Sequence, residues 1–248
     1  MLDLYWSMTP ETPPEAAARF KAHHLGESRL GEEVLAELPA GAGGALLDVG
    51  CQTGGLLAVA ARRYAAVAGV DVAFRWLVVA RVRLAEAGVE ATLACANAEH
   101  LPLPDQSFAA VTANDLIEHL EDPAPVFHQC RRVAAPGGVW YLSTNNRYSL
   151  LPEPHVNVWG VGWLPRRWQA GYVRLASGRP YRHIRLRSAG EVAAWARAAG
   201  FAEVRVSAAP AAAVRWTALE GLYRKLRSLP AISWLLARVG PRVQLLCR

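Results

Sequence analysis

From residue 45 onward the chain alternates short apolar runs with longer stretches in which apolar side chains return every three or four positions. Ala45–Val49 predicts a strand, followed by a glycine-bearing turn and a helix over about 55–64. Ala66–Val72 predicts a second strand and an amphipathic helix near 74–87 follows it. Glu90–Ala96, Phe108–Asn114 and Val139–Thr144 predict further strands, with a helix near 123–134 between the last two. Turns are marked by Leu101-Pro102-Leu103-Pro104-Asp105 and by Pro136-Gly137-Gly138. Later, a helix over Glu191–Ala199, ended by Gly200, leads into an apolar run Phe201–Ser207, and a last run, Val243–Cys247, follows near the C-terminus. Ahead of the first strand, Pro14–His24 and Arg29–Leu38 have helical patterns. Such alternation predicts an α/β fold with a parallel sheet covered by helices.

Two stretches break the pattern. Residues 145–187 are rich in Pro, Trp and Arg and lack a sustained period; connections this long in a compact domain are usually functional. Residues 214–239 predict two helices parted at Pro230, with Trp216, Leu219, Tyr223 and Leu226 on one face and Ile232, Leu235, Leu236 and Val239 on another.

With 248 residues, 52% of them hydrophobic, the chain has ample material for one core and is not disordered. Met1-Leu2-Asp3-Leu4-Tyr5-Trp6 has an early acid and no basic run, so no secretory signal is expected. No uncharged apolar stretch approaches the roughly 18 residues of a membrane span. Cys51, Cys95, Cys130 and Cys247 lie too far apart for paired zinc spacing or a disulfide framework, which makes a reducing, cytoplasmic setting the expectation.

The net charge of +6 is unevenly placed. Residues 1–146 carry 10 basic and 17 acidic side chains, a balance of −7. Residues 147–187 carry eight arginines against Glu153, and 214–248 carry seven basic groups against Glu220. An anionic partner is therefore expected at the two late segments, although a solvated arginine face explains the same residues; only Lys21 and Lys225 are lysines, so arginine richness is general.

Three elements carry the chemistry. Leu46-Leu47-Asp48-Val49-Gly50-Cys51-Gln52-Thr53-Gly54-Gly55 follows a strand and opens a helix, with glycines where a backbone must approach a ligand or take positive φ. The dinucleotide fingerprint needs Gly where Gln52 stands, which counts against a dehydrogenase. Gly69-Val70-Asp71 places an acid at the end of the next strand, where a carboxylate accepts both hydroxyls of a ribose; a solvent-facing strand-end acid is the plainer alternative. The third element is Asn97-Ala98-Glu99-His100-Leu101-Pro102-Leu103-Pro104-Asp105 before Phe108, a strand-end loop placed to read an adenine edge.

In this order and spacing the three resemble class I S-adenosylmethionine-dependent methyltransferases, in particular the small-molecule group (methyltransferase type 11) that includes quinone-biosynthesis O-methyltransferases. The resemblance covers about residues 40–146 strongly and 188–207 with the closing strand weakly. It implies a Rossmann-like fold with a seven-stranded mixed sheet, the last strand antiparallel and helices on both faces. The chain would form a single domain: N-terminal helices over 1–40, a cofactor core over 41–146, a substrate cap over 147–187 and C-terminal helices and closing strands over 188–248. The cofactor implied is S-adenosyl-L-methionine, with S-adenosyl-L-homocysteine as product. Asp48, Gly50, Cys51, Gln52 and Gly54 would lie under its methionine part, Asp71 and Val72 at the ribose, Asn97, Ala98 and Glu99 by the adenine, and Asn114 beside the sulfonium. Gln52, where the family usually has Gly, keeps a non-catalytic cofactor-binding protein open as an alternative. The acidic first half is compatible with a cationic methyl donor.

Methyl transfer to a hydroxyl requires positioning and removal of one proton, for which histidine is the natural base. His119, in Asp115-Leu116-Ile117-Glu118-His119-Leu120, follows the fourth strand and resembles the glutamate–histidine element of ubiquinone-type O-methyltransferases. Some of these hold a divalent metal with an acid, a glutamate and the histidine, and Asp115, Glu118 and His119 would match; a hydrogen-bonded helix start is the simpler reading, and no metal is expected. His155, in Leu151-Pro152-Glu153-Pro154-His155, is the second candidate base. Asn146, Arg147, Trp159, Arg182 and His183 are candidate substrate contacts, for an acceptor that is anionic, aromatic or lipid-linked. An amphipathic basic stretch such as 214–239 would suit a peripheral membrane contact, though packing against the domain explains it as well. Nucleic acid, tRNA included, is the alternative acceptor suggested by charge; against it, Asn114-Asp115-Leu116-Ile117 lacks the Asn-Pro-Pro-aromatic motif for amines, and no basic tail is present.

Overall fold

The computed structural model describes residues 28–38, 44–209 and 220–248. The helix expected over Pro14–His24, and Trp216 and Leu219 of the expected C-terminal helix face, lie outside the described residues. Residues 28–37 are helical (α1), and seven strands follow: β1 Ala45–Val49, β2 Ala66–Asp71, β3 Thr92–Cys95, β4 Phe108–Asn114, β5 Ala134–Asn145, β6 Val204–Ala208 and β7 Arg242–Cys247. Between them run α2 Gly55–Ala60, α3 Phe74–Glu86, α4 Ala124–Val133, α5 Arg166–Ser177, α6 Ala189–Ala198, α7 Glu220–Arg227 and α8 Pro230–Val239. The strands form one sheet in the order β3-β2-β1-β4-β5-β7-β6. β1 pairs in parallel with both β2 and β4, and β6 with β7 antiparallel, so the sheet is mixed and the fold is the Rossmann-like one expected.

The described residues fall into two compact units, those within 1–113 with 129–140, and those within 114–128 with 141–248. In the first, β1 is buried along nearly its whole length, as a central parallel strand covered on both faces must be. Leu46, Leu47, Val49 and Leu57 are fully buried there. Asp48 sits in this apolar strand because Thr112, its partner on β4, donates its hydroxyl to the carboxylate at 2.7 Å. Gly69 lies opposite Asp48 on β2, and a Cβ there would stand 2.7 Å from the Cys51 sulfur and 2.7 Å from Leu57 Cδ1. The glycine is thus what lets the β1–α2 turn close down on β2.

In the second unit, α6 starts with a capping box in which Ser188 accepts from the Glu191 amide and Glu191 reaches back to Ser188. Pro230 stands at the first turn of α8, where its missing N–H costs nothing. Two expectations change. Residues 145–187 contain a twelve-residue helix, α5, that the sequence does not announce: it presents only Gln169 and Val173 to the interior, too few apolar positions for a visible period, and ends at Gly178 with φ 69°. Val173 joins Val156, Val158, Val161 and Tyr181 in a small core of the segment's own. And β5 begins at Ala134, so that Pro136-Gly137-Gly138 lies inside the strand rather than before it.

Gly69→Ala is expected to destabilise the first unit by about 1–3 kcal/mol through overpacking, read as a thermal midpoint lower by roughly 2–4 °C per kcal/mol; an unchanged midpoint would show that the turn has room to move.

Candidate functional site

The site residues expected from the sequence divide between the two units, and each group is built by its own unit's strands. In the first, the turn after β1 is pinned at both ends: the Gly50 and Cys51 amides donate to the Val70 carbonyl (2.7 and 3.1 Å), and the Gln52 amide donates to Asp71 Oδ2 at 3.0 Å. Asp71 Oδ1 accepts from the Ala73 amide at 2.8 Å. The strand-end carboxylate therefore organises the turn as well as the strand that carries it. Gly50 (φ 77°), Gln52 (φ 46°) and Gly54 (φ 72°) are left-handed. At Gln52 this explains why glycine would be at home: a side chain there carries a cost of about 1 kcal/mol.

Around this carboxylate, Val72 and Phe74 are 75% and 68% exposed, large apolar groups set beside a buried acid. The next strand end is tied to the same place, since the Ala96 amide donates to the Asp71 carbonyl at 3.1 Å. Beyond it, Asn97 Oδ1 accepts from the Glu99 amide at 3.0 Å and Ala98 is buried. Cys51 turns its side chain into the core and offers the turn only its backbone. Asp48 is likewise buried and bonded to Thr112. Asp71, Val72, Asn97, Ala98 and Glu99 are thus gathered at neighbouring strand ends, in line with a nucleoside: a carboxylate for paired hydroxyls, and exposed aliphatic surface for a base.

In the second unit, residues after β4 and β5 form a cluster of acids and imidazoles. Asn114 Oδ1 accepts from the Ser143 hydroxyl at 2.8 Å. Asp115, again left-handed at φ 50°, donates its amide to the Ser143 carbonyl at 3.0 Å, and its carboxylate accepts both Nη atoms of Arg242. Arg242 Nη2 also donates to Ser143 Oγ at 3.0 Å. Glu118 is fully buried; Thr144 Oγ1 and Asn145 Nδ2 donate to its two oxygens at 2.7 and 2.8 Å. Burial, with the neighbouring Asp115 charge, pushes the Glu118 carboxyl up to about 7, against the opposing pull of Thr144 and Arg242. Among the described residues no three His, Cys, Asp or Glu side chains are disposed to hold a metal; Asp115 is engaged by Arg242 and Glu118 by its two donors.

His155 and His119 come together, with ring centroids 5.6 Å apart and planes nearly perpendicular. The Glu153 carboxylate, 4% exposed, accepts the His155 and Val156 amides at 3.0 Å and binds His155 Nδ1 at 2.5 Å. That bond leaves Nε2 as the imidazole's other working atom. Burial disfavours the His155 cation, but the hydrogen bond and charge of Glu153, with Glu118 and Asp115 behind, outweigh it and raise the pKa. His119 is shifted the other way, by burial and by the His155 charge. The Tyr181 hydroxyl is buried without a hydrogen-bond partner among the described residues; burial, then the Glu153 and Glu118 charges, push it up.

The other expected substrate contacts are engaged elsewhere. Asn146 is buried, its amide bonded to the Ala237 and Gly240 carbonyls. Arg147 Nε donates to the Gly162 carbonyl. Trp159, 59% exposed, donates its indole N–H to the Leu150 carbonyl. Arg182 and His183 are exposed, the latter at φ 61°. Glu153 and Arg242 were not singled out from the sequence. Only Glu153 left a trace there, as an acid two residues before a histidine with a proline between.

Comparison with known proteins places these findings. Residues 47–142 match a family model described as a methyltransferase domain. A ubiquinone biosynthesis O-methyltransferase of Salmonella arizonae is 35% identical over 145 residues, 58% of this chain and 56% of the relative. The chain thus spans about half the length of the curated relatives it matches. Among solved structures, phosphoethanolamine N-methyltransferase 2 of Haemonchus contortus has a TM-score of 0.60 at 20% identity, covering 88% of this chain and 52% of that one. Geranyl diphosphate C-methyltransferase of Streptomyces coelicolor has 0.60 at 18%, covering 89% and 76%. At these identities the structures bear on the fold alone.

A carboxyl with a raised pKa favours the protonated form in the folded chain, so the contribution of Glu118 is present below its ordinary 4.5 and lost as the pH rises through about 7. Glu118→Gln should remove a pH-dependent loss on the order of 3 kcal/mol, seen as a flatter thermal midpoint between pH 5 and pH 8; parallel curves for both proteins would place the acid's ordinary titration below that range.

Proposed function

We propose that this chain, whose residues 47–142 belong to the methyltransferase-domain family, is an S-adenosylmethionine-dependent methyltransferase acting on a hydroxyl of a small molecule. Bound S-adenosylmethionine would supply an electrophilic methyl group on a sulfonium and leave as S-adenosylhomocysteine. Asp71 would receive the ribose hydroxyls on the lone pairs its two backbone amides leave open, and the turn Gly50–Gly54 would lie under the methionine part. Val72, exposed beside Asp71, would cover one side of the adenine, with Asn97, Ala98 and Glu99 at its edge.

The acceptor atom does not follow from the fold, because the relatives above are named for transfer to oxygen, nitrogen and carbon alike. The observation that carries the choice of a hydroxyl is the Glu153–His155 pair. A buried carboxylate fixes the imidazole at Nδ1, so that Nε2 takes the acceptor's proton as its oxygen bonds to the methyl carbon, and Glu153 stabilises the imidazolium that forms. His119 presents its ring to the same imidazole and with its own lowered pKa stays neutral at pH 7. The exposed rings of Trp159, Trp163 and Trp168 and the arginines of the same segment favour an aromatic or apolar acceptor with a negative charge.

Two measurements test this reading. Asp71→Ala should weaken S-adenosylmethionine binding in calorimetry by about tenfold to a hundredfold, the scale of one or two lost charged hydrogen bonds; equal heats, or none with the unaltered chain, would remove the cofactor assignment. If His155 is the base, methyl transfer rises with pH as its imidazolium loses a proton, and the raised pKa puts that limb above 6.5. Glu153→Gln should move the limb toward acid, and His155→Ala should lower kcat by about 10²–10⁴-fold. A limb that stays in place in Glu153→Gln assigns the titration to another group.

A further inference from the structure

We propose that the second unit also carries a binding site for a single amphiphilic anion, an apolar ring system or chain ending in a carboxylate, phosphate or sulfonate, in a cavity lined by α6, β6 and α8. The cavity measures about 750 Å³, within the range of small-ligand sites. Of the residues assigned above to cofactor, proton removal or acceptor, it shares only Trp163.

Its floor is apolar and small: Ala193 and Ala237 are 4% exposed, and Val204 and Val206 of β6 complete it. Three rings stand at its edge, Tyr148, Trp163 and Trp234, at 36%, 49% and 57% exposure. The first two are held in a fixed relation, with centroids 5.3 Å apart, and the Trp163 indole N–H is spent on the Ser149 carbonyl. These walls face water with their apolar surfaces, which a bound apolar body would cover.

The polar requirement comes from two guanidiniums. Among the described residues Arg197 and Arg238 line the cavity and no Asp or Glu does. Arg238 lies over the Trp234 ring with its central carbon 3.5 Å from the centroid, a flat cationic platform for a planar anion. A concave floor that reaches down to the buried Ala193 and Ala237 is out of reach of a flat lipid surface, which favours one molecule entering over a bilayer lying against the helices. Room for it exists on α6 itself: a Cβ added at Gly190 would meet nothing within 4 Å.

The test titrates the full chain with 1-anilinonaphthalene-8-sulfonate, an aromatic sulfonate, and with uncharged N-phenyl-1-naphthylamine, each read by fluorescence. Both are expected to saturate at one site per chain. Arg197→Gln and Arg238→Gln should each weaken the sulfonate about tenfold, the loss expected for one charge-assisted contact, and leave the uncharged probe within twofold. Gly190→Trp should fill the cavity and abolish both, with S-adenosylmethionine calorimetry and thermal midpoint unchanged; Ala193→Leu provides the same blockade should that variant fold poorly. Sulfonate binding that survives both blocking variants, or that falls equally for the two probes in the arginine variants, overturns the proposal. So does an absence of saturable probe binding alongside sedimentation with phosphatidylglycerol vesicles, which would assign the same residues to a lipid surface.

Discussion

A carboxylate withdrawn from water must be met by donors or by a cation, and the strand ends of this chain are arranged around that requirement. Asp48 is met by Thr112, Asp71 by two backbone amides, Asp115 by Arg242, Glu118 by Thr144 and Asn145, and Glu153 by two amides and an imidazole. Asp48, Asp71, Asp115 and Glu118 each join residues from different strands or turns, and Glu153 closes its own turn, so each acid fixes the path of the backbone beside it. Removing a donor would leave a buried acid short of a hydrogen bond, a more severe change than the loss of one exposed hydrogen bond.

The same requirement accounts for backbone strain. Gln52 and Asp115 both hold positive φ outside glycine, and both are tied to carboxylates: Gln52 through its amide to Asp71, Asp115 through its own side chain to Arg242. Strain of this kind persists where surrounding bonds over-determine it, and both positions fall among the residues proposed to bind cofactor or to lie next to the proton-handling cluster. The departure of Gln52 from glycine is therefore accommodated by geometry and gives no reason by itself to expect a degenerate site.

Within the cluster, charge separates the two imidazoles. Glu153 favours the cation on His155, and that charge, with burial, disfavours it on His119. Two like groups in contact are thereby driven to opposite protonation preferences, which is what allows one to be proposed as the base while the other stays neutral. No helix among the described residues is long and apolar enough to cross a membrane.

The sequence by itself determined the strand order's local ingredients, the glycine-bearing turn after β1 and the strand-end position of Asp71, because periodicity and glycine placement are local signals read over a few residues. It also exposed the two basic segments and the break at Pro230. It missed α5, whose few inward positions leave no period, and it placed the start of β5 too late. Only the tertiary structure decided which acids meet which donors. Arg242 reaches Asp115 across 127 positions of sequence and Asn145 reaches Glu118 across 27, distances over which composition and spacing carry no information. The pairing of His119 with His155, and the partnership of Glu153 with that imidazole, arise because chain returning from two strand ends must share one buried neighbourhood, and what is buried together there sets the charge each group can hold.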